Sequence, residues 1–337
     1  MRVALTGATG LLGANLAEAL LLAGHTVTAT RRPTSRTEHL RDLDIRWVEA
    51  SLGDPGSLAR AFVGAEWVFH CAAAVTIRRQ PTDLVVATNV QGTRHVLDAV
   101  KTAGVRRLIY CSSVVTVGLS EDGDPSDETA RWNFAEHGIL DGYTQTKRQA
   151  EELVTAAIAN MGLDAVIVNP AYMIGPRDAR PSSGRLLLEV VKRAAPGVSS
   201  GANNFVDVRD VARGMVAAAE LGRSGERYIL GGVDMSYAEF FRRVAEQAGV
   251  RPIARVLPRW VANIAGRWGD LQELFSAREP LLNSASIAWA FTNDYRFTSA
   301  KAEAELGYSI SPIDPAIRDA LAWFRAQGML GEPQAEL

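Results

Sequence analysis

The sequence has few of the residues that build covalent or metal-bound frameworks. It contains two cysteines, Cys71 and Cys111, among 337 residues, too few for a disulfide framework. Neither cysteine stands at a metal-ligand spacing from any of the five histidines. We therefore expect no bound metal, and we interpret both cysteines as buried thiols in a reducing compartment.

The sequence also lacks an excess of charge and a long apolar run. Its formal net charge of -2 gives no basic footprint for nucleic acid. No apolar run is long enough to span a bilayer, and the first residues form a strand-like run before a glycine rather than a secretory signal. We expect a cytoplasmic protein with no nucleic acid partner and no membrane span, which binds a small, nearly neutral molecule.

What the sequence has is an alternation of short apolar runs with longer amphipathic stretches. The short runs are rich in Val, Ile and aromatic residues, and the longer ones repeat apolar positions at steps of three and four. This alternation predicts an α/β fold, a Rossmann-type doubly wound parallel sheet covered by helices. The predicted strands are 2–6, 25–30, 45–50, 67–72, 106–113, 164–170 and 227–232. The predicted helices include 11–23, 81–102, 143–161 and 208–221.

From about residue 175 the alternation gives way to segments punctuated by proline, which predicts a smaller, mostly helical lobe. The chain must return to the first domain, because 205–221 looks like a helix packed on the sheet and 227–232 like a buried strand. The predicted division is 1–170 with 205–232 for the dinucleotide-binding domain, 171–204 and 233–298 for the substrate lobe, and 299–330 for the C-terminal helices.

Three glycines separate the first strand from the first helix. Gly7 would allow a tight turn, Gly10 a close approach of the backbone to a diphosphate, and Gly13 close packing of helix on strand. The amino end of the helix would then hold the phosphates. A glycine turn without a ligand is the alternative. The other residues expected to contact the dinucleotide in this loop are Thr9, Leu11 and Leu12.

The end of the second strand bears on which dinucleotide binds. Arg31 and Arg32 stand where a carboxylate would bind the ribose hydroxyl of NAD, and a guanidinium suits a 2′-phosphate better. We therefore predict NADP, with NAD as the alternative if these arginines are only part of a solvated loop. Asp54 is placed either to bind the adenine amino group or to cap the helix that follows it.

A tyrosine and a lysine four residues apart, Tyr143 and Lys147, would share one face of a helix. An ammonium beside a phenol favours the phenolate and lowers the pKa of the phenol, which suits a general acid in ketone reduction or a base in alcohol oxidation. A coincidental pair is the alternative. A hydroxyl at the carboxyl edge of the sheet would stabilise the developing alkoxide, and of Ser112 and Ser113 we choose Ser113.

Seven segments together resemble the extended short-chain dehydrogenase/reductases, the family of epimerases and dehydratases that use NAD. They are "TGATGLLG", "VFHCAA", "TNVQGT", "SSVVTVG", "YTQTK", "NPAYMIGPRD" and "FVDVRDVA", in this order. Within that family the sequence is most similar to bacterial dihydroflavonol-reductase-like and hopanoid-associated epimerase-like members. The resemblance implies a catalytic set of Ser113, Tyr143, Lys147 and Asn89. It also implies cofactor contacts from Leu52, Ala72, Ala73, Ala74, Pro170, Ala171 and Met173, besides Tyr143 and Lys147.

Departures from the family pattern narrow the reaction. Val114 and Val115 replace the acid pair of the dehydratases, and Asn203 stands where many nucleotide-sugar epimerases carry an arginine. Asp207 stands where the family usually shows histidine. The leading interpretation is therefore an NADP(H)-dependent oxidoreductase that interconverts a ketone or aldehyde and an alcohol.

Two alternatives stay open, a nucleotide-sugar epimerase with tightly held NAD and a non-catalytic dinucleotide sensor. The resemblance also implies a homodimer through the helices 81–102 and 143–161. Aromatic residues of the distal segment, among them Trp260, Trp268 and Trp289, either line an apolar pocket or form the core of the second lobe, and we favour the core.

Overall fold

The computed structural model describes residues 1–121, 123–276 and 278–331. Short stretches rich in β-branched and aromatic residues form strands, because such side chains pack well on a pleated surface. The strands, in chain order, are β1 (Arg2–Thr6), β2 (Thr26–Arg31), β3 (Ile45–Glu49), β4 (Trp67–His70), β5 (Arg107–Cys111), β6 (Ala165–Pro170), β7 (Tyr172–Ile174), β8 (Ala202–Asp207), β9 (Arg227–Leu230) and β10 (Val233–Ser236).

Seven strands form one parallel sheet in the order β3-β2-β1-β4-β5-β6-β9. The direction of winding reverses between β1 and β4, and such a reversal opens a crevice at the carboxyl edge of the sheet where ligands bind. The strands β4 and β6 are buried along their whole length, as expected when helices cover both faces. The predicted Rossmann-type doubly wound fold is confirmed.

Helices pack on both faces of this sheet. One face is covered by α1, α7 and α11, the other by α2, α4 and α5, and each face has its own apolar core. The helices are α1 (Leu11–Leu22), α2 (Pro55–Phe62), α3 (Asp83–Val86), α4 (Gly92–Thr102), α5 (Gly142–Met161), α6 (Arg185–Val191), α7 (Val208–Leu221), α8 (Tyr237–Ala248), α9 (Arg259–Phe275), α10 (Ser284–Phe291), α11 (Ala300–Leu306) and α12 (Ile313–Ala326). Within the described residues, none of them combines the length and the apolar content that crossing a bilayer requires.

The second lobe contains a sheet that the sequence did not predict. Its order is β10-β8-β7, and it packs with α6, α8 and α12. The segment predicted as a helix from residue 205 therefore begins as the end of β8, and the helix starts at Val208. Phe205 explains the difference, because its ring stacks on Phe240 at a centroid distance of 3.9 Å inside this lobe. The side chain of Asp207 then caps α7 by accepting a hydrogen bond from the backbone of Arg209.

The helix predicted over 81–102 is divided into α3, a π-helical turn over Ala87–Gln91, and α4. The extra residue of the π-helical turn bulges the helix at Asn89, whose side chain is bonded to the backbone of Ala74. Such bulges occur often at functional sites. The turn thus joins this helix to the segment that follows β4.

Candidate active site

The turn after β1 is built from the predicted glycines, and two of them are required by close packing inside the protein. Gly7 has a φ of 80°, and a Cβ there would lie 2.6 Å from the backbone nitrogen of Ala72. A Cβ on Gly13 would lie 2.1 Å from the carbonyl oxygen of Gly7. Because only glycine tolerates such contacts, α1 can begin directly against the sheet.

Gly10 differs, because the space around it is open. A Cβ there would meet the carbonyl oxygen of Gly7 at 3.5 Å and no other described atom within 4 Å. Gly10 is the N-cap of α1, no side chain caps it, and the first turn contains no acidic residue. The free backbone N–H groups and the helix dipole therefore fit a diphosphate. Leu11 and Leu12 are buried, so they can contribute only backbone amides, whereas Thr9 is half-buried.

The end of β2 presents the two predicted arginines. Arg31 is half-buried and Arg32 is exposed, and among the described residues neither guanidinium has a partner. Asp54 is exposed and accepts a hydrogen bond from the backbone nitrogen of Ser57 at 3.1 Å, so the capping interpretation is the one the structure displays. Leu52 is half-buried nearby. The adenine contact of Asp54 stays a prediction.

The segment Ala72–Ala74 follows β4 beside the glycine turn. Asn89 holds it in place: the backbone nitrogen of Ala74 donates to Oδ1 of Asn89 at 2.7 Å, and Nδ2 of Asn89 donates to the carbonyl oxygen of Ala74 at 2.8 Å. The same Nδ2 donates to the hydroxyl of Thr146 on α5 at 3.0 Å. Asn89, expected in the catalytic set, is thus engaged in positioning this segment against α5.

Lys147 lies on the buried face of α5. Its Nζ donates to the carbonyl oxygen of Cys111 at 2.7 Å and to the hydroxyl of Tyr110 at 3.1 Å. Tyr143, one helical turn earlier, is half-buried. Both cysteines are free thiols, Cys111 buried as predicted and Cys71 only half-buried. Tyr143 and Lys147 therefore lie at the end of β5, where the carboxyl edge of the sheet begins.

The ionisation of this pair differs from the sequence prediction in one respect. The pKa of Tyr143 is raised above its ordinary value, because burial outweighs the lowering by the charge of Lys147 and by a hydrogen bond with Ser113. The lysine acts in the predicted direction, but the predicted net lowering is wrong. Burial also acts to lower the pKa of Lys147, yet Tyr110 and Tyr143 together raise it, so the ammonium keeps its charge. The phenol is accordingly in its protonated form.

Ser113 rather than Ser112 is the serine beside the phenol. The hydroxyl of Ser112 lies 3.2 Å from that of Thr116, inside the protein. The hydroxyl of Ser113 accepts a hydrogen bond from the backbone nitrogen of Val115 at 3.3 Å and interacts with Tyr143. Because neighbouring residues of an extended strand point to opposite sides, one serine faces the cleft and the other does not.

A buried polar cluster behind Ser113 was missed by the sequence reasoning. Nδ2 of Asn169, at the end of β6, donates to the carbonyl oxygen of Ser113 at 3.0 Å, and the hydroxyl of Thr116 lies 2.8 Å from the same oxygen. Both side chains also reach the carboxylate of Glu151 on α5, which faces Arg227 at 3.3 Å. The cluster fixes the backbone of Ser113 to α5. No sequence motif predicts this cluster, because its members come from β6, β9, α5 and the turn after β5.

The positions that depart from the family pattern are occupied by side chains with structural contacts. Val114 and Val115 are buried, so the two positions after Ser113 carry no proton-transfer group. Nδ2 of Asn203 donates to the hydroxyl of Tyr237 at 3.0 Å. Asp207 caps α7, as described above. Asn203 and Asp207 therefore stabilise the second lobe, and their side chains do not point toward an anionic ligand.

Beyond β6, the predicted nicotinamide border is partly buried. Pro170 and Ala171 are buried at the strand end, and Met173 is half-buried in β7. Arg177 pairs with Glu18 at 3.1 Å and with Asp42. Its guanidinium thereby ties the start of the second lobe to the first domain.

Several aromatic rings pack together near Tyr143. Phe134 packs on Trp132 and Trp289 at centroid distances of 6.2 and 5.7 Å, and Trp289 packs on Tyr295 at 4.7 Å. The pKa of Tyr295 is raised, first by burial and then by its proximity to Tyr143. Nε1 of Trp289 is a buried donor without a partner in the described structure. Phe134 and Tyr295 are buried and Trp289 is half-buried, so these rings belong to the apolar core, which here contains an unused hydrogen-bond donor.

Comparisons with known proteins identify the family of the chain. The model of the NAD dependent epimerase/dehydratase family matches residues 3–231. The chain is 33% identical over 329 residues to a putative dihydroflavonol 4-reductase of Synechocystis sp., covering 96% of this chain and 94% of that protein. It is 34% identical over 334 residues to sterol demethylase protein B of Methylococcus capsulatus, covering 98% and 100%.

A solved structure is similar over nearly the full length. It is a nucleoside-diphosphate-sugar epimerase from Pseudomonas aeruginosa, with a TM-score of 0.82 and 27% identity over 98% of this chain and 99% of the other. The glycine turn, the sheet order and the tyrosine–lysine pair agree with the family match. The chain therefore belongs to the NAD-dependent epimerase/dehydratase family, the extended short-chain type, and is an NAD(P)-dependent enzyme of that family.

Proposed function

We propose that the protein is an NADP(H)-dependent oxidoreductase that interconverts a ketone or aldehyde and an alcohol. The observation that carries the proposal is the arrangement at the end of β5. Half-buried Tyr143 stands one helical turn from buried Lys147, and Ser113 interacts with its phenol. Because the two positions after Ser113 are valines, Tyr143 is the one proton-transfer group that we assign, which suffices for reduction of a carbonyl and not for a dehydration.

The proposed roles follow from the contacts. Bound NAD(P) supplies or accepts the hydride at the substrate carbon. Tyr143 donates its proton to the substrate oxygen in reduction and accepts it in oxidation, while Ser113 donates a hydrogen bond to the same oxygen. The charge of Lys147, held by Cys111 and Tyr110, stabilises the phenolate that reduction leaves behind. Burial raises the pKa of Tyr143 above its ordinary value, which suits a phenol that donates its proton in reduction.

We infer that the substrate is apolar and at least partly flat. Half-buried Trp289, which packs on Phe134 and Tyr295, favours such a molecule, and the two relatives described above are named for a dihydroflavonol and for a sterol. The residues 171–204 and 233–298 would form the substrate lobe. The unpartnered Nε1 of Trp289 would donate to a polar group of the substrate.

NADP is proposed over NAD because Arg31 and Arg32 end β2 without partners. The second candidate function, a nucleotide-sugar epimerase, is favoured by the similar epimerase structure from Pseudomonas aeruginosa. Against it, Asn203 is bonded to Tyr237, and Arg177 is bonded to carboxylates of the first domain, so neither binds a sugar diphosphate.

The experiment that tests the proposal follows the oxidation of NADPH and NADH with a panel of apolar ring ketones and aldehydes. We expect turnover with NADPH, a KM at least about tenfold lower than for NADH, and a loss of about 1000-fold in kcat for Tyr143→Phe, the range of a general acid. In that variant NADPH affinity, measured by fluorescence titration, should stay unchanged.

Each arm of this experiment has its own failing result. Equal KM values for the two dinucleotides would remove the assignment to NADP. Full activity of Tyr143→Phe would remove the assigned general acid. A purified protein that retains NAD and converts nucleotide sugars without net oxidation would establish the epimerase instead.

A further inference from the structure

The helix α9 has its large apolar side chains on the outside. Trp260, Trp268 and Phe275 are 67%, 64% and 83% exposed, and Ile264 and Leu271 lie between them on the same face. The spacing of four, four, three and four residues places all five on one stripe of the helix. With exposed Leu274, Leu281 and Leu282 they form what we call the α9 face. A monomer rarely exposes so many large apolar side chains together without a binding role.

The inner side of α9 is made of small residues, which prevents the helix from turning its large side chains inward. Ala262, Gly266 and Gly269 are the buried residues of the helix. A Cβ on Gly269 would lie 1.7 Å from the carbonyl oxygen of Leu282, so the helix contacts the segment before α10 backbone to backbone. The close packing of the small residues therefore leaves the large side chains of the α9 face exposed.

Charges around the α9 face are segregated. Arg259, Arg267 and Arg278 are exposed, and among the described residues their guanidinium groups have no partner. The whole-chain charge of -2 conceals this, since residues 251–278 contain five arginines and two carboxylates. The surface next to the apolar stripe is therefore cationic.

The nearby carboxylates are turned toward the protein. Asp270 accepts hydrogen bonds from Ser284, at 3.0 Å from the backbone nitrogen. Glu273 accepts from the backbone nitrogen of Arg79 at 3.1 Å, and Glu279 from the hydroxyl of Thr76 at 2.8 Å. Because these three carboxylates accept hydrogen bonds from described residues, the exposed arginines are the charged groups left to meet a partner.

We propose that the α9 face docks the protein on the surface of a bilayer that contains anionic phospholipids. Tryptophan, phenylalanine and leucine on one face of a helix, with arginine beside them, are typical of helices that lie in the membrane interface. The rings enter the headgroup region while the arginines bind phosphates. A second copy of this chain fits less well, because it would bring the same unpartnered arginines together without a carboxylate.

The α9 face adjoins the active-site segment after β4. The guanidinium of Arg78 donates to the carbonyl oxygens of Ser276, Arg278 and Glu273, each at 3.0 Å. Arg78 follows Ala72–Ala74 by four residues, so the docked surface lies next to the segment that flanks the glycine turn. Entry of an apolar substrate from the bilayer is an extension that rests on the proposed function, whereas docking does not depend on it.

The test measures co-sedimentation of the full chain with vesicles of phosphatidylcholine containing about one third phosphatidylglycerol, and with pure phosphatidylcholine. We expect binding to the anionic vesicles that weakens in high salt. The double variant Trp260→Ser/Trp268→Ser should bind at least about tenfold more weakly. The variant Arg259→Gln/Arg267→Gln should lose the preference for anionic vesicles.

The matched control is Leu22→Ser/Val63→Ser, which removes two equally exposed apolar side chains away from the α9 face and should bind as the unmodified protein does. Absence of vesicle binding, or an equal loss in the control, would overturn the proposal. So would sedimentation equilibrium in which the unmodified protein self-associates without binding vesicles and the tryptophan variant does not. None of these measurements requires activity, so a failure here is distinct from a failure of the proposed reaction.

Discussion

The helices α5 and α9 depart from ordinary amphipathic patterning in opposite ways. Helix α5 buries a lysine and a glutamate, Lys147 and Glu151, in the middle of the molecule. Helix α9 exposes tryptophans and buries glycines. One helix thus buries charged groups that usually meet water, and the other presents to water groups that usually avoid it.

The two helices differ in where the partner lies that compensates for their unusual side chains. On α5 each buried charge is surrounded by protein: Lys147 by a carbonyl and a phenol, Glu151 by Thr116, Asn169 and Arg227. The compensation is internal, and the result is a rigid site. On α9 nothing in the described structure covers the apolar stripe. The partner of α9 therefore lies outside the chain, and substitutions in either helix test this difference.

The largest expected change concerns the buried carboxylate of α5. We expect Glu151→Ala to lower the free energy of unfolding by about 4 kcal/mol, because it leaves Arg227 without its counter-charge and removes one of the acceptors of Thr116 and Asn169. Urea unfolding followed by circular dichroism measures this. The conservative variant Glu151→Gln keeps an acceptor and should lose less. If both variants were as stable as the unmodified protein, the buried cluster would not hold α5 against Ser113.

The next change concerns Asp141, the buried N-cap of α5, which accepts a hydrogen bond from the backbone nitrogen of Thr144 at 2.7 Å. Burial raises its pKa to about 6, from 3.8. The folded state therefore binds more protons than the unfolded state between these values, and stability falls as pH rises from about 4 to 6. Asp141→Asn keeps the cap without the charge.

We expect Asp141→Asn to match the unmodified protein near pH 4 and to be more stable by about 3 kcal/mol at pH 8, the energy of that shift. Unfolding free energies measured across this range check it. Asp141→Ser, also an uncharged cap, should show the same pH profile. A difference from the unmodified protein that does not change with pH would show that burial of the Asp141 carboxyl costs nothing.

Local chemistry explains what the sequence predicted well. Gly7 and Gly13 are placed by contacts within a few residues of the turn and by the strand beside it, and Tyr143 and Lys147 share a helix face because four residues make one turn. The Rossmann-type sheet follows from the alternation of apolar runs. Each of these features depends on spacing along the chain, and spacing can be read directly.

What the sequence could not predict depends on contacts between distant segments. The pKa of Tyr143 depends on how deeply the fold buries this residue. The charge of Lys147 alone predicts a lowered pKa, whereas burial raises it. The resemblance implied a place for Asn89 in the catalytic set, but the π-helical turn and the hydrogen bonds of Asn89 to Ala74 could not be predicted from the sequence. The outward orientation of α9 could not be read either, because its pattern of small and large residues predicts two faces without saying which one is covered. Its tryptophans were expected in the core for that reason.

The smallest expected effect is the change in the free energy of unfolding when exposed residues of α9 are substituted, compared with a buried residue of α5. Trp260→Ser/Trp268→Ser should change the free energy of unfolding by less than about 1 kcal/mol in total, because both rings are mostly exposed and surface substitutions cost little. Val154→Ser, a fully buried position on α5, should lose about 3 kcal/mol, since it combines a cavity with an unpaired hydroxyl. Urea unfolding without lipid measures both. A loss of similar size in the two variants would mean that the tryptophans of α9 stabilise the fold, and the orientation of this helix would then need no partner to explain it.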